Sequence, residues 1–388
     1  MKEIYLDNGA TTRPSERVVA KMTQVLTEAY GNPSSLHRKG QQAEKYVEEA
    51  RRTIARYLGV DPVTLYFTSG GTECSNTAIL GAAQKNARRG RHILTVRGEH
   101  PATMEPLKLL AEQGYEVEYV ENDAAGRIVL EDLKKKLRDD TILVTCLHVN
   151  NETGVIQPVE EMGAIIKAKR PEILFHVDTV QSFAKLPVHP IAWQADFLSS
   201  SAHKFHGPKG VGCLYVRRGL TIRPLIRGGG QEKKFRSGTE NVPGIAGMGE
   251  AVQEAVEALT EHEAYVRALK MRLYERILRE IPKTSVNGPT PEEGAAHVLN
   301  MRFFNVRSEV LLHSLEEYGI FISSGSACAS NKPEEKSPAL SALGYGREEM
   351  DQSVRFSFSR YNTPEEMDET VEALKKVVPM LRRYVRRK

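Results

Sequence analysis

The sequence predicts an α/β fold: a large domain built on a mostly parallel sheet flanked by helices, beside a smaller α+β domain. Between about residues 15 and 258, short apolar runs alternate with stretches of helical periodicity, and this alternation is typical of a parallel sheet covered on both faces. After about residue 259, a long charged helix precedes short strands and helices. A chain of 388 residues has room for two or three domains. We expect a large domain over residues 13–258 and a small domain over residues 1–12 and 259–388.

The individual elements follow from the spacing of apolar residues. Recurrence every three or four residues predicts helices, at residues 18–29 and 43–58, from about 72, and at 261–280 and 364–382. Short apolar runs rich in β-branched and aromatic residues predict strands, at residues 65–68, 92–96, 116–120, 141–149, 173–177, 197–200, 211–216, 297–302, 320–323 and 354–358. Ligands of such sheets bind beyond the carboxyl ends of the strands, so polar residues that follow a strand are candidates for a site.

Composition argues against several classes of protein. Lys and Arg number 54 against 50 Asp and Glu, and a charge of +4 is too small to indicate nucleic-acid binding. The basic residues at 382–388 fit a solvated helix end, or a contact with an acidic partner or tRNA. No segment approaches the roughly 20 apolar residues of a membrane span, and the first residues lack a signal-peptide pattern. The four cysteines are far apart, so we expect a cytoplasmic protein without a metal site.

Lys204 and Asp178 are the pair that indicates chemistry. Asp178 follows the predicted strand at 173–177, and Lys204 lies shortly after the one at 197–200. Pyridoxal phosphate (PLP) chemistry requires a lysine that forms a Schiff base with the cofactor and a carboxylate that keeps its pyridine nitrogen protonated. An isolated lysine is usually a solvated surface group, but these two strand ends together predict a PLP site.

The segment at 67–73 predicts a phosphate site. It runs from a strand through glycines into a helix that begins near Gly71 and Thr72, and exposed backbone N–H groups at a helix start bind phosphate. The spacing does not match the nucleotide-binding P-loop. Ser201 and His203 are further candidate donors to the phosphate.

His100 and Asn151 also follow predicted strands. Each fits an ordinary loop or turn, which is the alternative interpretation. At this edge of the sheet, the imidazole of His100 is suited to stack on the cofactor ring and relay protons. The turn at Asn151 is suited to direct this side chain at the cofactor's hydroxyl.

Cys328 and Arg355 suggest what the cofactor acts on. Cys328 lies among small residues that precede a charged run at 331–336, a composition that predicts a flexible loop. A thiol with a pKa of ~8.5 must lose its proton to become a nucleophile, and such a thiol beside PLP suggests sulfur chemistry; an ordinary loop cysteine is the alternative. Arg355 lies on an alternating strand, where its guanidinium suits an amino-acid carboxylate or a surface salt bridge.

Together, these segments resemble the NifS/IscS-type cysteine desulfurases of the class V aminotransferase family, which have the PLP-dependent transferase fold type I. The resemblance covers nearly the whole chain, at residues 5–12, 31–37, 67–76, 149–152, 176–181, 201–204, 236–239, 323–328 and 354–360. The run at 323–328 is similar to that of the long-loop group that includes NifS and IscS.

The resemblance implies a role for each candidate. Lys204 would carry PLP and remove the α-proton of L-cysteine, and Cys328 would attack the substrate sulfur, which releases L-alanine and leaves a persulfide. The remaining cofactor contacts would be Asp178 at the pyridinium, Gln181 at the phenolic oxygen, His100 on the ring as acid/base, Asn151, and Gly71, Thr72, Ser201 and His203 at the phosphate. Arg355, helped by Asn32, would bind the substrate carboxylate, and Thr239 would reach the phosphate of the partner subunit in a homodimer.

Two features differ from the family pattern. Gly9 stands where alanine is usual, which we expect to be a small change. The chain stops at Lys388, before the longer tail with which IscS-like members engage an iron–sulfur scaffold. Thiolation of tRNA or a cofactor is therefore an equal candidate for the destination of the sulfur. The expected partners are L-cysteine, a second copy of the chain and a sulfur-acceptor protein, with no membrane and no direct nucleic acid.

Two other functions stay open from the sequence. One is a selenocysteine lyase or another class V PLP enzyme, which would not need Cys328. The other is a PLP-binding sulfur-relay module without turnover, which would form no alanine from L-cysteine.

Overall fold

The computed structural model describes residues 3–324 and 337–384. Its strands are β1 (Ile4–Tyr5), β2 (Leu65–Thr68), β3 (His92–Val96), β4 (Glu116–Val120), β5 (Thr141–Leu147), β6 (Leu174–Asp178), β7 (Phe197–Ser201), β8 (Gly212–Val216), β9 (Thr284–Val286), β10 (Val298–Phe303), β11 (Ile320–Phe321), β12 (Ser323–Ser324) and β13 (Ser353–Ser357). Its α-helices are α1 (Glu16–Glu28), α2 (Arg38–Leu58), α3 (Gly71–Asn86), α4 (Pro101–Glu112), α5 (Leu130–Lys136), α6 (Val159–Lys169), α7 (Val242–Val256), α8 (Leu259–Glu280), α9 (Ser308–Glu316), α10 (Pro338–Ala342), α11 (Arg347–Met350) and α12 (Pro364–Tyr384).

The central sheet confirms the predicted α/β class. Its strand order is β2-β8-β7-β6-β5-β3-β4. In this sheet β8 runs antiparallel to both neighbours, and the other adjacent strands are parallel. The inner strands β5, β6 and β7 are buried at every residue, which explains why they read as continuous apolar runs in the sequence. Because β6 and β7 are parallel neighbours, their carboxyl ends, Asp178 and Ser201, lie at the same edge.

Helices cover both faces of this sheet. On one face, α1, α2, α6 and α7 contribute to a hydrophobic cluster that includes Val18, Ile54 and Met162, packed with Phe175 and Val177 of β6. On the other face, α3 and α4 pack on alternate strand residues in a second cluster, whose members include Ile79, Leu110, Ile93, Leu143 and Leu174. Successive strand residues point to opposite faces, so each strand supplies both clusters.

A separate cluster lies in the carboxyl-terminal part of the chain. It joins α8, α9 and α12 to a four-stranded antiparallel sheet of order β12-β13-β10-β9. The amino-terminal Ile4 and Leu6 belong to this cluster, and β1 pairs with β11. The division into domains at residues 12/13 and 258/259 stays a prediction, which the separation of the clusters supports.

Many element boundaries differ from the predictions by one or two residues, and the start of α2 differs by more. Helix α2 begins at Arg38, earlier than predicted, because His37 caps it through Nδ1, which accepts from the Gly40 amide at 3.3 Å. Strand β5 ends at Leu147, two residues early. The segment predicted as one strand at 320–323 forms the separate strands β11 and β12. Strands β1 and β9 were not predicted, since two or three residues are too few for a periodic pattern.

The longest helices are strongly charged. Arg276 of α8, for example, donates to Glu280 in its own helix and to Asp368 and Glu372 of α12. Within residues 3–324 and 337–384, no helix combines the length and apolar character needed to cross a membrane.

Candidate active site

Lys204 lies at the carboxyl edge of the central sheet. It ends a short 3-10 helix, Ala202–Lys204, that directly follows β7. Its Nζ donates to the main-chain oxygens of Gly9 at 2.7 Å and Ala10 at 2.8 Å. These carbonyls belong to the segment between β1 and α1. The hydrogen bonds of Lys204 therefore hold this segment against the carboxyl edge of the central sheet.

Gly9 connects this lysine to the small sheet. Its carbonyl also accepts from Gln181 Nε2 at 3.0 Å, and its amide donates to Ser357 Oγ of β13 at 2.7 Å. A Cβ at this position would lie 3.1 Å from Ser357 Oγ and 3.3 Å from Arg355 Cζ. The glycine therefore leaves space at a crowded junction, where an alanine methyl group would have tight contacts.

Asp178 is buried at the end of β6. Its Oδ1 accepts from the Val180 amide at 2.8 Å. Burial raises the pKa of Asp178 to about 6, although the Val180 amide and the charge of Lys204 act in the opposite direction. A buried carboxylate is costly unless a cation or donor compensates it, and a protonated pyridine nitrogen is such a partner.

Glu99 is a second buried carboxyl group, which sequence analysis missed. Its Oε1 accepts from the Leu147 amide at 2.7 Å. Burial and then the charge of Asp178 raise the pKa of Glu99 to about 8. Near neutral pH, Glu99 is therefore protonated and uncharged, whereas Asp178 is deprotonated and negatively charged. The sequence feature that could have revealed Glu99 is its position directly before His100, shortly after strand β3.

His100 caps the start of α4. Its Nδ1 accepts from the Ala102 amide at 3.1 Å, so the neutral ring carries its proton on Nε2. Burial and repulsion by Lys204 lower the pKa of His100 to about 4. The ring is therefore uncharged near neutral pH, and an uncharged planar ring beside the lysine suits stacking on an aromatic cofactor.

The residues predicted to bind phosphate lie at the start of α3, close to the ends of β6 and β7. A Cβ at Gly71 would lie 2.6 Å from Val180 Cγ2 and 3.6 Å from Ser201 Cβ, so glycine allows the start of the helix to approach the turn that follows β6. Thr72 is exposed in the first turn of α3. His203 is nearby in sequence, and its Nδ1 lies 3.1 Å from Thr11 Oγ1. This cradle of helix amides, hydroxyl groups and a close glycine fits a phosphate group.

The guanidinium of Arg355, in β13, forms two hydrogen bonds and has one further donor group, Nε. Its Nη2 donates to Asp7 Oδ1 at 2.7 Å, and its Nη1 donates to the main-chain oxygen of Asn151 at 2.7 Å. Its buried Nε has no hydrogen-bond partner among the described residues. Asn151 itself is half-buried at this contact. A buried guanidinium with a spare donor suits a carboxylate ligand.

Two of the predicted residues, Asn32 and Thr239, are not brought into this group. Asn32 is exposed between α1 and α2, and its Oδ1 accepts from Ser34 in its own loop at 2.9 Å. Thr239 is exposed and lines a surface cavity with Ser69 and Arg236. Cys328 lies outside the described residues.

Glu232 anchors the loop that bears Thr239, and sequence analysis missed it. Buried at the outer edge of β2, it accepts from Arg51 Nη2 at 2.7 Å and from the Phe67 amide at 2.9 Å. Its φ of 45° lies in the left-handed region, which is strained for a residue other than glycine. The ion pair therefore fixes this loop against the strand that leads to the phosphate cradle.

Comparison with known proteins identifies the family. Residues 4–370 match the family model described as Aminotransferase class-V. The chain therefore belongs to the class V aminotransferase family, whose members are PLP-dependent, and the resemblance predicted from the sequence is confirmed.

Relatives within the family are more specific. The chain is 42% identical over 381 residues to Cysteine desulfurase IscS of Methanosarcina thermophila, which covers 98% of this chain and 93% of that protein. It is 44% identical over 386 residues to Cysteine desulfurase IscS of Glaesserella parasuis serovar 5 (strain SH0165), with 98% and 93% covered. Among solved structures, a NifS-like protein aligns with a TM-score of 0.92 and 39% identity over 98% of this chain and 100% of that one. A structure titled "SspA in complex with cysteine" aligns with a TM-score of 0.80 and 34% identity, covering 93% and 100%.

Titration of Asp178 gives a first prediction, for the cofactor-free protein. Its pKa of about 6 in the folded state exceeds the ordinary value of about 3.9, so the folded form holds this proton more tightly than the unfolded chain. Asp178 therefore lowers the free energy of unfolding progressively between about pH 4 and 6, and the loss persists above that range. We therefore expect the free energy of unfolding of Asp178→Asn, measured relative to wild type by urea unfolding, to increase by about 2–3 kcal/mol from pH 4 to pH 7. A difference that stays constant across this range contradicts the prediction.

The buried ion pair gives a second prediction. Arg51→Met leaves Glu232 buried without its cation, and we expect the free energy of unfolding to fall by about 3–5 kcal/mol. The adjacent Arg52 is exposed, so Arg52→Met serves as the matched control, with a change within about 0.5 kcal/mol. Urea unfolding at neutral pH measures both. Equal effects of the two substitutions would show that the pair does not anchor the loop.

Proposed function

We propose that this protein is a PLP-dependent cysteine desulfurase, which removes sulfur from L-cysteine, releases L-alanine and leaves a persulfide on Cys328. The observation that carries the proposal is the convergence of Lys204, Gln181 and Arg355 on the Gly9 segment at the carboxyl edge of the sheet. Relatives at 42–44% identity that bear the name cysteine desulfurase support it, as does a structural neighbour with bound cysteine.

The residues around Lys204 would hold the cofactor. Asp178 would pair with the ring nitrogen, Gln181 would donate to the phenolic oxygen, and His100 would stack on the ring. The remaining contacts would come from Asn151 and, at the phosphate, from Gly71, Thr72, Ser201 and His203. When bound, PLP supplies an electron sink for charge that develops at the α-carbon of the amino acid.

The side chains of this chain divide the other work. Arg355, with Asn32 of the partner subunit, would orient the amino acid through its carboxylate. Lys204 Nζ would take the α-proton, and His100, whose neutral ring carries its proton on Nε2, is able to donate one. The thiolate of Cys328 would attack the substrate sulfur, so a new S–S bond forms as the carbon–sulfur bond breaks.

A second copy of the chain would complete the site. Thr239 and Asn32 are both exposed and stand apart from the Lys204 group, as expected if each serves a site shared between subunits. Near Asn32, Tyr30 is 71% and Leu36 94% exposed, and exposed apolar side chains of this size are typical of covered interfaces. We therefore propose a homodimer.

The sulfur would pass from Cys328 to an acceptor protein. An iron–sulfur scaffold and a tRNA-thiolation enzyme are equal candidates, and no direct contact with nucleic acid is proposed. A cytoplasmic location is part of the same proposal, since a persulfide is best preserved where thiols stay reduced.

The catalytic thiol gives a third prediction. With L-cysteine and a reductant, the wild-type protein should form alanine and sulfide in equal amounts. Cys328→Ser should reduce sulfide release at least about 100-fold, since the hydroxyl is a far weaker nucleophile, while the visible absorbance of bound PLP persists. Ser330→Ala, which keeps the thiol, is the control. Undiminished sulfide release by Cys328→Ser would rule out the persulfide route.

Substrate binding gives a fourth prediction. Arg355→Gln removes the guanidinium, and we expect KM for L-cysteine to rise about 10–100-fold, as for loss of a charged hydrogen bond, with the PLP absorbance retained. Arg302 of neighbouring β10 pairs with Glu349 at 2.7 Å, so Arg302→Gln is the matched control and should leave KM unchanged. An unchanged KM in Arg355→Gln would remove this residue from the substrate site.

A further inference from the structure

Lys185 is linked to the site through Gln181. It lies four residues after Gln181, in the turns that follow β6, and its Nζ donates to Gln181 Oε1 at 3.3 Å. Gln181 Nε2 in turn donates to the Gly9 carbonyl at 3.0 Å, which also accepts from Lys204 Nζ at 2.7 Å. The two lysines are thus joined by one side-chain amide and one main-chain oxygen.

These two contacts determine which way the amide of Gln181 faces. A carbonyl oxygen only accepts a hydrogen bond, and a protonated lysine only donates. Rotating the amide by half a turn would bring its oxygen against the Gly9 oxygen and its NH₂ group against Lys185 Nζ. Both hydrogen bonds would be lost. The two oxygens would repel each other, as would the NH₂ group and a protonated Lys185 amine, so the Gly9 carbonyl and Lys185 together favour the observed orientation.

The charges around Lys185 indicate why it is held there. Burial, followed by the charges of Lys204 and Arg355, lowers the pKa of Lys185 well below its ordinary value. Three further groups whose pKa values Lys185 affects are bases as well, namely His203, His206 and His297. A lysine among cations and neutral bases is costly to maintain, and an anionic ligand beside it would offset that cost.

We propose that Lys185 is a positioning residue of the cofactor site: it fixes the amide of Gln181 with the donor on the side of Lys204, ready for the phenolic oxygen of PLP. Lys185 acts through Gln181 and need not touch the cofactor. The inference rests on the proposed function, because it assumes that Gln181 meets PLP.

The test uses the PLP-loaded protein and follows its visible absorbance with pH. A donor and a positive charge near the phenolic oxygen both favour the form of the chromophore that has lost its proton. Lys185→Met leaves the Gln181 amide able to turn its donor away from the phenolic oxygen, so the pH midpoint of the absorbance change should rise by about one unit. The Kd for PLP, from titration of the cofactor-free protein, should rise roughly tenfold.

A matched control and a double-mutant cycle separate positioning from general effects. Lys270 is a buried lysine, whose Nζ donates to the carbonyls of Gly294 and Ala295. Lys270→Met should lower the melting temperature without moving the midpoint. In a Gln181→Ala background, Lys185→Met should shift the midpoint by less than half as much as in wild type, because the side-chain amide through which Lys185 acts is already absent.

Equal shifts of Lys185→Met in the two backgrounds, or no shift in wild type, overturn the proposal. If Lys185→Met does not fold, Lys185→Gln, which keeps a neutral donor, is measured in both backgrounds. A midpoint shift below one unit that decreases further in the Gln181→Ala background supports the proposal. A shift of the same size in both backgrounds, or no shift, overturns it. A wild-type protein that never turns yellow with PLP contradicts the proposed function itself, whereas a yellow wild type with unchanged variants contradicts this inference alone.

Discussion

The hydrogen bonds to the main chain of Gly9 are the interactions on which the arrangement of the site depends. Its carbonyl accepts from Lys204 and Gln181, which belong to the central sheet, and its amide donates to Ser357 of the small sheet. The main chain of Gly9 therefore links the central sheet to the small four-stranded sheet, beside both Lys204 and Arg355. The position of Arg355 relative to Lys204 follows from this link, since β13 carries both Ser357 and Arg355.

The electrostatics of the site favour an anionic ligand. Burial and the positive charges of Lys204 and Arg355 lower the pKa of Lys185. Burial also lowers the pKa values of the nearby histidines, which are uncharged near neutral pH. The acidic groups are fewer: Asp178 is buried, Asp7 is paired with Arg355, and Glu99 is protonated near neutral pH. Groups perturbed in this way cluster at functional sites, where stability is given up for preorganised charge. A phosphate, a phenolate and a substrate carboxylate are the charges that would offset the cost.

The sequence was sufficient for the sheet and for the residues at its strand ends. Lys204, Asp178 and His100 were predictable because parallel strands bring their carboxyl ends to one edge. Lys185, Glu99 and Glu232 were not, since a charged residue in a turn or loop reads as solvated until tertiary packing encloses it. Asn32 and Thr239 were proposed on resemblance alone, and their exposed positions leave their roles to a second copy of the chain. Cys328 lies outside the described residues, so its role stays a prediction.

The central claim is that the amine of Lys204, and no other lysine, forms the bond to PLP. Borohydride reduction of the PLP-loaded protein makes that bond permanent, and peptide mass mapping then locates it. We predict that the label lies on Lys204 and is absent after Lys204→Ala. A label on the nearby Lys185, or no covalent label on the yellow protein, would contradict the account.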